Sequence, residues 1–302
     1  MTSILARANS HGVDWELNLD RVGLLPGTTA KGSVALVAAH GTDGRGLIAA
    51  LIATEQWQFT ETTTDARGRP SSHTVTKTEE LLRLPVQLAD QLSLGPGERR
   101  EIAFEVPVPP LGPATLEATV SRLTWELEVK LDRPGGFDSA IVVPVTVLQP
   151  TALLRAGVVE VGEFALYEAA DSATDEARAS VEIKPMPICV GAPIDGSLTI
   201  ETTGQLDLQE IRLEIRVKVK ATVSGGLDEE LTLWAGRLVG PGPFGGASQV
   251  IPFQGDIPAQ YLPTIELPHG RTDATFHVIL ARAWSRDPHL VRDVAVCSTA
   301  EI

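Results

Sequence analysis

Cysteine is scarce in this sequence. Cys189 and Cys297 are its two cysteines among 302 residues, and they form no CxxC pair. Two widely separated cysteines are too few for a disulfide framework or for a cysteine-rich zinc site. We therefore predict that both thiols are reduced, and the sequence leaves a single bridge between them open.

Long apolar runs are also missing. The longest, GLIAALIA at residues 46–53, is far shorter than the ~20 residues that cross a bilayer. The opening residues 1–10 are too short and too polar to be the apolar centre of a signal peptide. We expect no transmembrane segment and a cytoplasmic location, with peripheral membrane contact left open.

Positive charge is in deficit. Lys and Arg number 25 against 39 Asp and Glu, a formal net charge of −14. Residues 1–150 carry −5 of this and residues 151–302 carry −9, so neither half has the basic balance of a nucleic-acid binder. We predict no nucleic-acid partner. The length suits about two ordinary folded domains.

The usual signatures of catalysis are absent. GxSxG, HExxH, Walker and kinase motifs do not occur. GPGPFG at 240–245 matches GxGxxG, but its prolines and the strand that follows favour a loop over a dinucleotide site. The six histidines have no ligand spacing, and we interpret His277 as a hydrogen-bonded structural residue. We predict no enzyme activity, no cofactor and no metal.

Few segments of the sequence have the residue pattern of an α-helix. The best candidate, residues 167–180, has almost no apolar stripe, and we expect an exposed acidic loop or one short helix there. Apolar and polar residues instead alternate along segments such as 13–20, 123–132 and 211–219. A period of two with one dry face is typical of antiparallel sheets packed as sandwiches.

Two sequence patterns, referred to below as the repeated phrases, each occur twice in the chain. Residues 24–39 and 188–203 each carry a turn glycine and, five residues on, Gly-Ser. Later, Phe104 and Phe253 each precede prolines and a long alternating strand. We predict two domains of one design, residues 1–150 and 151–302, in which Gly27 lies over Gly191 and Phe104 over Phe253.

These phrases resemble the arrestin family, which includes bacterial sporulation-control proteins. The matching stretches are Pro26-Gly27, Gly32 to Leu36, Phe104 to Pro107, Pro110 to Pro113, and Trp125 to Val129. The resemblance implies an all-β fold of two tandem immunoglobulin-like antiparallel β-sandwiches in an arrestin-like arrangement. It also implies a non-enzymatic adaptor, scaffold or regulatory protein that binds other proteins through sheet faces, edges and loops.

One strand carries a basic stripe, which consists of Arg212, Arg216, Lys218 and Lys220. On a strand these positions share one face over roughly 26 Å. The stripe is a candidate site for an acidic peptide or an anionic headgroup. The alternative is a charged outer face whose cations pair with acids of neighbouring strands.

Tryptophans provide the other candidate contacts. We expect Trp15 and Trp125, which lie on apolar faces, in the core. Trp234, which we place on the face of Asp228 and Glu230 and expect to be partly exposed, and Trp284, at a strand end or loop, are predicted partner contacts. Two alternatives stay open, namely a small-ligand- or carbohydrate-binding β-sandwich with or without hydrolytic activity, and a homodimer formed through edge strands.

Overall fold

A computed structural model describes residues 4–151, 161–167, 177–246, 248–282, 287 and 289–299. These residues form β-strands and no α-helix, which confirms the all-β prediction. Of the candidate helix at 167–180, residues 168–176 lie outside the described residues, while Tyr167 ends one strand and residues 177–180 begin another. In the described ranges no helix is long and apolar enough to cross a membrane.

The contacts divide the chain into two compact units. The first comprises Met1–Trp57, Thr76–Leu116 and Arg122–Leu148. The second comprises Gln58–Val75, Glu117–Ser121 and Gln149–Ile302. The predicted domains 1–150 and 151–302 stay a prediction.

Residues 4–147 contain twelve β-strands. These strands are β1 (Ile4–Ser10), β2 (Val13–Leu19), β3 (Gly23–Leu24), β4 (Thr29–Ala38), β5 (Thr42–Gly44), β6 (Gly46–Thr64), β7 (Pro70–Ala89), β8 (Leu92–Leu94), β9 (Arg99–Pro107), β10 (Leu116–Glu117), β11 (Ser121–Asp132) and β12 (Ser139–Val147). One sheet has the order β1-β2-β4-β9, and another has the order β3-β12-β11-β6-β7 with β10 on β11. β5 pairs with β8.

The strands of residues 161–297 follow a related plan. They are β13 (Val161–Tyr167), β14 (Ala177–Lys184), β15 (Ile188–Cys189), β16 (Pro193–Thr202), β17 (Leu206–Ala221), β18 (Asp228–Val239), β19 (Gly242–Phe244), β20 (Gln249–Asp256), β21 (Gly270–Arg282), β22 (His289–Val294) and β23 (Val296–Cys297). Their order is β18-β17-β21-β22-β13-β14-β16-β20, with β19 on β17 and a separate β15-β23 pair.

The first unit has its core between two sheets. Trp15 of β2 and Trp125 of β11 are almost completely buried, as predicted. The indole Nε1 of Trp15 donates to Ser139 Oγ of β12, 2.8 Å away, so the two sheets face each other in a sandwich-like way. Burial alternates along both strands because their apolar residues share one face.

The repeated phrases adopt the same pairing in both units. Gly32 of β4 lies opposite Phe104 of β9, and Gly196 of β16 lies opposite Phe253 of β20. A short parallel pair also occurs in each, β3 with β12 and β15 with β23. The internal repeat in the sequence therefore corresponds to a repeat in strand pairing.

The prediction of reduced thiols is wrong. Cys189 and Cys297 lie opposite each other in the β15-β23 pair, with Cα atoms 4.8 Å apart, and a disulfide joins them. They are separated by 108 positions along the chain, so only the pairing of these two short strands brings the sulfurs together.

Candidate partner-binding face

The basic stripe lies on β17, between β18 and β21. The opposite face of β17 is fully buried through Ile211, Leu213, Ile215, Val217 and Val219. These aliphatic side chains fix which face of the strand points outward. The stripe residues consequently share the outer face, as their spacing predicts.

Glu214 interrupts the stripe on that same face. Its carboxylate receives Arg212 Nε at 2.6 Å on Oε1 and Arg216 Nη2 at 2.6 Å on Oε2. Burial on its own raises the pKa of Glu214, but the bonds and charges of Arg216 and Arg212 outweigh it and hold the pKa below its ordinary value. The result is an Arg212–Glu214–Arg216 clamp across the middle of the strand.

Acids on neighbouring positions pair with the rest of the stripe. Arg212 also contacts Glu210 at 2.6 Å, Arg216 contacts Glu230 at 3.0 Å, and Lys218 contacts Asp228 at 2.8 Å. The hydrogen bond to Asp228 raises the pKa of Lys218.

Lys220 differs from Arg212, Arg216 and Lys218 in its ion-pair contacts. It is exposed and lies opposite Asp228 of β18 and Arg271 of β21. No ion pair joins it to a described residue. The stripe is thus part of a mixed-charge face, which agrees with the alternative interpretation in part: Glu230 and Asp228 belong to the neighbouring strand β18, whereas Glu210 and Glu214 belong to β17 itself.

Trp234 does not share the face of Asp228 and Glu230, so that expectation is wrong. The register of β17 and β18 shifts between Ile215 and Arg216, so that Trp234 lies opposite inward-facing Ile215. Its ring centroid is 6.4 Å from that of Phe253. A β-bulge of this kind reverses the faces beyond it, and sequence alternation alone does not reveal it. Trp284 lies outside the described residues.

His277 lies on the outer face of β21, opposite Glu214. Its Nε2 is 2.9 Å from Thr275 Oγ1, as the structural interpretation predicts, but no described residue is a hydrogen-bond partner of the buried Nδ1. The ring of His289 on β22 is its neighbour, with centroids 6.3 Å apart. Burial lowers the pKa of both imidazoles, and the charge of Arg216 adds to this effect.

A cleft in the first unit was not foreseen from the sequence. It has a volume of about 410 Å³ on the outer face of β1, β2, β4 and β9. Glu16 spans it, accepting from Arg7 Nε at 3.1 Å and from Arg99 Nη2 at 3.3 Å. The bond from Arg99, helped by Arg7, lowers the pKa of Glu16. Small residues of β4, Ala35 and Val37, form part of its lining.

No protein-family model matches this chain, and no curated protein matches it in sequence. In the described part of the chain, no three or more His, Cys, Asp or Glu side chains are grouped so as to hold a metal ion.

Proposed function

We propose that this chain is a non-enzymatic adaptor or scaffold of the arrestin-like type, with two tandem immunoglobulin-like sandwiches that bind other proteins. The observation that supports it best is the repeated glycine–phenylalanine pairing, Gly32 with Phe104 and Gly196 with Phe253. Gly32 and Phe104 belong to the stretches that resemble the arrestin family, and Gly196 and Phe253 occupy equivalent positions in the strand pairing of the second unit.

The outer face of β17 is the proposed docking surface, and its lysine end is the part available to a partner. Lys218 and Asp228 are each 53% exposed, whereas the Glu214 side chain is 9% exposed within its clamp. Exposed ion pairs contribute about 0–1 kcal/mol. The carboxylates of an acidic partner segment therefore replace Asp228 at little cost, while replacing Glu214 would leave it buried and unpaired.

The Lys218→Glu, Lys220→Glu double variant tests this proposal. A partner is first isolated by affinity capture from the native lysate, and its Kd is then measured with purified protein. We expect about tenfold weaker binding and a weaker dependence on salt, because two charges that steer an anionic partner are reversed. Lys31→Glu is the matched control, since Lys31 is an exposed lysine paired with Glu105 in the first unit. Equal affinity of the double variant and the control would remove this face from the proposal.

A second candidate function is small-ligand binding in the first unit. The cleft is open to solvent, and the observation that favours this function is the convergence of Arg7, Glu16 and Arg99 in its lining, because a few convergent polar groups are typical of ligand sites. A thermal-shift screen of small polar ligands, repeated with Arg99→Ala, checks it. A stabilising ligand whose effect disappears in Arg99→Ala supports this second candidate, and a ligand with equal effect on both proteins excludes the cleft.

A cytoplasmic location belongs to the first proposal. The disulfide is the observation against it, because disulfides are rare in reducing compartments. Rapid alkylation of thiols in intact cells tests the cytoplasmic location. Labelling of Cys189 and Cys297 without reductant agrees with a cytoplasmic location, whereas labelling only after reduction contradicts it.

A further inference from the structure

Two histidines form a pair on the outer face of the second unit's sheet. Val291 of β22 lies opposite His277, and His289 lies opposite Ile279, which makes the two imidazoles diagonal neighbours on adjacent strands. Their ring planes are nearly perpendicular, at 84°. His277 is only 8% exposed, and its buried Nδ1 has no hydrogen-bond partner in the part of the chain that the structure describes.

The surroundings of the pair suit neutral imidazoles and disfavour charged ones. Among the described residues, the charged groups that act on the two imidazoles are Arg212, Glu214 and Arg216 of β17, Glu230 of β18, and Asp287. Asp273 of β21 and Asp293 of β22 lie further along the same strands, and Tyr167 of β13 is the register partner of His289. Nearly all the carboxylates closest to His277 are engaged: Glu214 binds Arg212 and Arg216, and Glu230 binds Arg216. Asp287 accepts from the backbone N of Arg282.

Because these carboxylates already have partners, a proton added to either imidazole gains no free carboxylate among them. An imidazolium at His277 is buried and close to the Arg216 guanidinium, and both burial and like charge oppose it. A second imidazolium at His289 adds repulsion to the first. In the neutral form neither repulsion arises, and the cost that remains at His277 is its Nδ1, which has no hydrogen-bond partner among the described residues.

We propose that the His277–His289 pair is an acid-operated switch, in which protonation loosens β21 and β22 at the outer face of the second unit. The switch is a property of this chain and does not depend on the proposed partner. A leucine or phenylalanine at position 277 would fill the buried site with no unpaired nitrogen, whereas two neighbouring imidazoles make the packing of these strands respond to acidification below about pH 6.5.

The direction of the pH response follows from the lowered pKa values of both histidines. The unfolded chain takes up protons at about pH 6.5, before the folded chain does. Stability is thus complete above that pH and is lost as the pH falls from about 6.5 through the lower pKa values of the folded state.

The test compares the full-length protein with His277→Gln/His289→Gln by urea unfolding at pH 7.5 and pH 5.5. We expect the folding equilibrium constant of the native chain to fall more than that of the double variant, by up to about tenfold for each histidine, because an unfolded histidine with a pKa of about 6.5 is mostly protonated at pH 5.5. His40→Gln, at an exposed histidine of the first unit, is the matched control and is expected to behave like the native chain. Carboxylate titration is common to all three proteins and cancels.

A second measurement localises the effect and guards against a double variant that folds poorly. Backbone hydrogen exchange, corrected for intrinsic rates, is expected to accelerate at pH 5.5 in β21 and β22 more than in β2 and β4. His289→Gln alone, at the less buried ring, is expected to remove about half of the response. Equal pH responses of native and double-variant protein, or imidazole NMR signals that titrate at or above pH 6.5 in the folded chain, would overturn the proposal.

Discussion

At the scale of single residues, two glycines allow the close approach of strands in the repeated plan. A Cβ built on Gly32 would lie 2.7 Å from Phe104 Cζ and would also collide with the carbonyl oxygen of Asn18. A Cβ built on Gly196 would likewise lie 2.6 Å from Phe253 Cζ and collide with the carbonyl oxygen of Glu182. Carbon atoms do not approach so closely without displacing the ring or the backbone.

Gly32→Ala and Gly196→Ala are therefore expected to destabilise the protein to a similar extent. Each adds one methyl where both a ring and a backbone carbonyl must move, so we expect a loss of about 2–4 kcal/mol in the free energy of unfolding. Urea unfolding measures it. Gly136→Ala and Gly204→Ala are matched controls, since an added Cβ meets nothing within 4 Å at either position. Losses no larger than those of the controls would show that the two close approaches do not exist.

At the scale of the secondary-structure element, β17 has a uniform inner face and a mixed outer face. Its inner aliphatic residues stabilise the strand through burial, and its outer residues form a chain of ion pairs in which Glu214 is the most buried member. Removing one partner of a buried ion pair costs more than removing one partner of an exposed pair, because an unpaired charge remains in the protein.

Glu214→Gln is expected to lower the free energy of unfolding by about 2–4 kcal/mol, a value between those of exposed and fully buried pairs. The matched control, Glu105→Gln, breaks the exposed pair with Lys31 and is expected to cost under about 1 kcal/mol. Because the pKa of Glu214 is lowered on folding, its contribution is complete above about pH 4.3 and disappears as the pH falls through the folded-state pKa. Urea unfolding from pH 7 to pH 3 measures this. A cost equal to that of Glu105→Gln at pH 7 would contradict the clamp.

At the scale of the whole molecule, the chain has a strong negative charge and one covalent cross-link. The net charge of −14 opposes association with anionic surfaces in general. The disulfide joins positions 108 residues apart and so closes a large part of the second unit into a loop. Such a cross-link stabilises chiefly by restricting the unfolded chain.

Reduction is expected to lower the free energy of unfolding by about 2–4 kcal/mol, the usual range for a native disulfide. Urea unfolding with and without reductant measures the loss, and thiol counting confirms the redox state. The Cys189→Ala/Cys297→Ala variant is the control, because it should be less stable than the oxidised protein and insensitive to reductant. Identical midpoints for the native chain in both conditions would contradict a stabilising disulfide.

The sequence by itself determined the strands, their buried faces and the repeat. Alternation along β11 or β17 is a local property, since successive side chains of one strand point to opposite faces wherever the strand lies. The core positions of Trp15 and Trp125, and the two glycine–phenylalanine phrases, followed from that pattern.

Which residues lie opposite each other on neighbouring strands was determined by the tertiary structure alone. The pairing of Arg216 with Glu230 and of Lys218 with Asp228 depends on the register between strands. The disulfide between Cys189 and Cys297 and the inward turn of Trp234 depend on it as well. Register is set by segments far apart in the chain, and a single bulge reverses every face beyond it. The sequence shows the two-residue period within each strand. It does not show how one strand aligns with the next.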